Sequence, residues 1–98
     1  MEKLTPHTKL SRIKTLIAEG KVSITVSAVT GAYLIDFDEK KIIRTVINLN
    51  SNDFYKSMTS NFDHKIWHDV YRPTVDGIDI YLKLIVSDGV LIVSFKEL

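Results

Sequence analysis

An α+β domain, with helices in its first half packed on one face of an antiparallel β-sheet in its second, is the fold class this sequence predicts. Three observations carry that expectation. Apolar residues recur at helical spacing up to Asn50, the pattern turns to alternation afterwards, and two Asp-Gly pairs, Asp76-Gly77 and Asp88-Gly89, punctuate the alternating half. Helices first and a meander afterwards cover one sheet face and leave the other open.

The elements follow in order. "TPHTKLSRIKTLIAEGK" predicts a helix that Thr5 caps, Pro6 opens and Gly20 closes, with Leu10, Ile13 and Ile17 on its apolar side. An extended piece over Lys21–Thr25 comes next, then a weak helix from Ser27 that Gly31 interrupts. "DFDEKKIIRTVINLN" predicts a third helix, with acidic residues at its positive end and a stripe of Ile42, Ile43, Val46 and Ile47. Strands are expected at 53–60, about 66–73, 78–86 and 90–96, with a loop at 61–65.

Taking Asp88-Gly89 as a two-residue turn sets Val86 against Leu91, Leu84 against Val93 and Leu82 against Phe95, all apolar and therefore the core face. The opposite face then pairs Tyr81 with Lys96, Lys83 with Ser94 and Ile85 with Ile92. The same reading of Asp76-Gly77 sets Arg72 across from Tyr81, Val70 across from Lys83 and His68 across from Ile85. A slip of one residue would turn every one of these side chains over.

Length and composition narrow the function classes. A chain of 98 residues makes one domain, residues 1–98. No cysteine means no disulfide framework, no thiolate nucleophile and no Cys-based zinc site, which fits a cytoplasmic protein. The sequence shows neither a signal-peptide pattern nor a membrane-length apolar run, so no membrane partner is expected. Net charge is only +1, so any nucleic-acid reading must rest on where particular cations sit.

The chemistry concentrates in "DFYKSMTSNFDHKIWHDVYRP", residues 53–73, which holds five of the nine aromatic residues and two of the three histidines. His68, Arg72, Tyr81, Lys83 and Lys96 would share the open sheet face. Such a set suits metal-free RNA scission, which needs a base for the 2′ proton, an acid for the leaving 5′ oxygen and cations for the charge on phosphorus. Rings offer stacking surfaces for unpaired bases. Trp67, on the parity opposite His68, is expected in the core, and His64 in an exposed loop. A zinc site from His64 and His68 would need a helix and a third ligand, neither evident in the sequence.

The segments "EKLTPHTKLS", "SNDFYKSMT", "DHKIW" with "DVYRP", "YLKL" and "VLIVSFKE" resemble the MqsR-like motility quorum-sensing regulators, messenger-RNA interferase toxins of type II toxin–antitoxin systems. Residues 24–50 match more loosely. The resemblance implies a RelE-like fold and a ribosome-independent endoribonuclease that cuts single-stranded mRNA, in the type member at GCU-containing triplets. It implies no cofactor, and a cognate antitoxin with a zinc-binding N-terminal domain and a helix-turn-helix that binds DNA, so the chain itself is not expected to bind DNA. Carried over residue by residue, the family's catalytic positions fall on Lys56, His68 and Tyr81, with Tyr55, Met58, Arg72 and Lys96 in supporting, substrate-binding places. Position 68 departs from the type member, which has glutamine there; an imidazole can exchange a proton near neutral pH and an amide cannot. The competing expectation is a non-catalytic RNA- or protein-binding module of the same fold, and a more distant one is a metal-dependent hydrolase.

Overall fold

The computed structural model describes residues 1–98 and is α+β, with a core between three helices and one face of a sheet. The seven-stranded sheet runs in the order β1-β3-β4-β6-β7-β2, with β5 paired to β6 off that path. Its strands are β1 (Glu2–Lys3), β2 (Val22–Ile24), β3 (Phe54–Thr59), β4 (Trp67–Tyr71), β5 (Thr74–Val75), β6 (Ile78–Val86) and β7 (Val90–Glu97). All pairings are antiparallel except β2 with β7. This is the architecture expected of a RelE-like toxin. No helix is long and apolar enough to cross a membrane.

Helix α1 spans Leu10–Ala18, shorter than expected. Thr5 and Pro6 do not open it; Lys9 stands at its N-cap without a side-chain cap bond. The backbone of residues 7 and 8 is held elsewhere, by the buried carboxylate of Asp69. Gly20 does close the helix: at φ 78° it lets Gly20 N bond Ile17 O and Lys21 N bond Leu16 O, which satisfies two terminal carbonyls.

Helix α2 (Val26–Tyr33) is capped by the Thr25 hydroxyl and runs through Gly31 without a break. Glycine is needed there for close packing, since a Cβ at position 31 would lie 2.2 Å from the Phe95 carbonyl oxygen of β7. Helix α3 (Glu39–Ile47) is capped by Asp38 and buries Ile42 and Val46. The core cluster joins Ile13, Leu16, Ala32, Ile42 and Val46 of the helices to Tyr71, Ile80, Leu82, Leu84, Ile92 and Phe95 of the sheet.

The two Asp-Gly pairs behave differently. Asp76 and Gly77 have φ of 53° and 79°, as a two-residue hairpin turn of primed type requires, and the register is the expected one, with Val70 across from Lys83. Asp88 and Gly89 are not in that conformation. Val86 pairs with Val90 and Leu84 with Ile92, so the loop has three residues and the expected partners Leu91 and Val93 are displaced. Val90 and Ile92 are buried while Leu91 faces solvent. A bulge at Val93 absorbs the difference, and from Lys83–Ser94 through Leu82–Phe95 to Tyr81–Lys96 the register is as expected. The cause lies outside the hairpin: Val90 N bonds Lys21 O, and β2 pairs alongside β7.

Candidate functional site

The face of the sheet away from the helices is built in three rows. Cross-strand partners share a face, so the pair of Met58 and His68 makes the first row. Lys56, Val70, Lys83 and Ser94 make the second. Tyr81 and Lys96 pair in the third, and the same β4–β6 register brings Arg72 level with Tyr81. Alternate residues along a strand are ~7 Å apart, so His68 and Tyr81 stand on opposite sides of the central row. Val70 is fully buried yet lies outside the main core cluster, as the floor of this face.

A bulge at Tyr55 makes this arrangement possible. Phe54 pairs with Tyr71 and Lys56 with Val70, so one extra residue sits between them. Phe54 therefore packs on the core side, edge-on to Tyr71 at 5.4 Å, while Lys56 emerges on the other face. The displaced Tyr55 is exposed and lies under the Arg72 guanidinium, 4.5 Å from ring centroid to Cζ. Lys56 Nζ is 5.4 Å from the same ring, and Lys96 Nζ is 5.4 Å from the Tyr81 ring. Cation–ring contacts at these distances keep both partners extended over the sheet.

The electrostatics of the two titrating candidates differ in sign. His68 is held below the ordinary histidine range, first by burial and then by repulsion from Lys83, and its Nδ1 is buried without a hydrogen-bond partner. Its imidazole is therefore neutral at pH 7 with a ring nitrogen unused. Lys56 is held above the ordinary lysine range by its hydrogen bond to Glu2, so it is a fixed cation. Glu2 Oε1 lies 2.5 Å from Lys56 Nζ.

All seven positions singled out from the sequence (Tyr55, Lys56, Met58, His68, Arg72, Tyr81 and Lys96) thus come together around this face. One expectation is corrected and one residue is added. Trp67 leaves the core and carries the N-terminal segment, with the His7 ring stacked at 5.5 Å and Lys3 Nζ 4.1 Å above its face. Glu2 is the addition: a two-residue strand has no periodicity to detect, so nothing in the pattern pointed to it, whereas Lys83 was legible on the face and belongs with the candidates. His64 is exposed in the loop after β3, and no three His, Asp or Glu side chains converge to hold a metal ion. A polar hollow of about 460 Å³ between α3 and the β5 hairpin, lined by Arg44, Asn48, Asp53 and Thr74 among others, contains none of the seven.

Comparison with known proteins adds an independent line. Residues 5–97 match the family model described as motility quorum-sensing regulator, toxin of MqsA. The chain is also 50% identical over 97 residues, 99% of each chain, to the mRNA interferase toxin MqsR of Escherichia coli strain K12.

Proposed function

The chain belongs to the motility quorum-sensing regulator family of toxins, and on that premise we propose that it is a cytoplasmic endoribonuclease that cuts single-stranded mRNA at GCU-type triplets, independently of metal and of the ribosome. Its partner is the cognate antitoxin, a zinc-binding helix-turn-helix protein. The observation that carries the mechanism is the row arrangement, with Lys56 central and His68 and Tyr81 on either side of it.

In the proposed reaction the scissile phosphate rests on Lys56, with Arg72 and Lys96 neutralising neighbouring charge. Neutral His68 accepts the 2′ proton; the 2′ oxygen bonds to phosphorus as the bond from phosphorus to the 5′ oxygen breaks, and the Tyr81 hydroxyl gives that oxygen its proton. The products are a 2′,3′-cyclic phosphate and a free 5′-hydroxyl. Tyr55 and Met58 border the site as apolar surfaces for bases. A lysine whose proton is held firmly suits clamping rather than base catalysis, and a histidine below its usual range suits the base.

The test is incubation of an end-labelled mRNA with the purified protein in EDTA, with mapping of cut sites and ends. Cuts at defined triplets with cyclic-phosphate ends are expected. RNA that is bound but stays intact would replace this reading with a non-catalytic RNA-binding module; activity that EDTA abolishes would remove metal independence.

A further inference from the structure

The open face carries four cations, Lys56, Arg72, Lys83 and Lys96, and two carboxylates among its strand residues, Glu2 and, near the start of β6, Asp79, which accepts from the Thr74 hydroxyl. Of the two, Glu2 is the one ion-paired with a lysine of the candidate site. The β1–β3 register sets it opposite Met58, and its Oε1 lies 2.5 Å from Lys56 Nζ. We propose that Glu2 is a built-in counter-ion that occupies the phosphate place on Lys56 in the free protein and gives way when RNA binds. This rests on the reading of the open face as an RNA-cleaving site.

Three features of the fold support displacement. Strand β1 is only two residues long and lies at the sheet edge, so few bonds hold Glu2 in place. The chain on either side is fixed: Met1 O accepts from Thr59 N and the terminal ammonium bonds the Thr59 hydroxyl, while residues 5–8 are tied to Ser57 and Asp69. Glu2 can therefore swing off the lysine without the segment leaving the sheet. Finally, the ion pair is open to water, where such pairs are weak and screened, and a phosphate supported by further cations competes well with a lone carboxylate. If Glu2 stayed in place, its charge would face the incoming phosphate across a few ångströms.

The experiment measures affinity for a single-stranded RNA made non-cleavable by 2′-O-methyl groups. The proteins are the wild type, Glu2→Gln, Lys56→Ala and the double variant, with an unmodified RNA cut in parallel. Glu2→Gln is expected to bind roughly three- to tenfold more tightly at low ionic strength, with the gain shrinking as salt rises. The gain should vanish when Lys56 is already alanine. Equal or weaker binding by a normally folded Glu2→Gln overturns the inference alone, and so does an equal gain in the Lys56→Ala background. A wild type that neither binds nor cuts RNA removes the functional reading and this inference with it.

Discussion

His68 on β4 stands directly across from Met58 on β3, and its Nδ1 is buried with no hydrogen-bond partner. Burial and the nearby Lys83 both disfavour the imidazolium, so the proton leaves below the usual 6.5. A base must be unprotonated to act. Cleavage should therefore rise with pH through a limb below 6.5 and be level across neutral pH. Glutamine at this position, which cannot titrate, should remove the limb. The pH profiles of kcat/KM for the wild type and His68→Gln decide this; an identical acidic limb in both would show that another group titrates.

Lys56→Ala and Tyr81→Phe should each lower cleavage by roughly 10²-fold or more, because one removes the phosphate clamp and the other the proposed proton donor. Both side chains lie outside the core cluster, so thermal unfolding should be nearly unchanged. Single-turnover rates beside melting curves test the pair. A folded variant that cuts at the wild-type rate would exclude its residue from the chemistry.

Residues 7 and 8 of the N-terminal segment are anchored by one buried carboxylate. Asp69, 2% exposed, accepts from His7 N and Thr8 N at 3.0 Å each and from the Ser57 hydroxyl. Asp69→Ala strips these donors of their acceptor and should cost about 2–4 kcal/mol in urea unfolding. Early proteolysis near residues 1–8 should accompany it, since the change removes the hydrogen bonds that tie residues 7 and 8 to β4.

Gly31→Ala tests the close approach of α2 to β7. Alanine is the better helix former by about 1 kcal/mol, but its Cβ would meet the Phe95 carbonyl at 2.2 Å, and strand backbone cannot move aside cheaply. Overpacking should win, with a net loss of about 1–3 kcal/mol by denaturant titration.

Much of this architecture was written in local pattern. The apolar stripe of α3, apart from Ile47, which is exposed, the bounds of β6 and the primed turn at Asp76-Gly77 each follow from residues adjacent in sequence, whose period and turn chemistry act before any distant contact forms. The turn alone sets the register that brings Arg72 level with Tyr81. His68 and Tyr81 were legible as residue types on strands of expected parity, and Lys56 from the family resemblance.

What only the tertiary structure decided depends on partners far along the chain. The bulge at Tyr55 turns Phe54 inward and Lys56 outward, and strict alternation would have put both on one face. The bulge at Val93 answers to β2, about 70 residues upstream. Trp67 is claimed by His7 and Lys3 rather than the core, and Asp69 draws residues 7 and 8 away from α1. Glu2 reaches Lys56 across 54 positions. Sequence period reports which side of its own element a residue prefers; it carries no term for the distant backbone that competes for the same hydrogen bonds, and at these positions that competition decided the outcome.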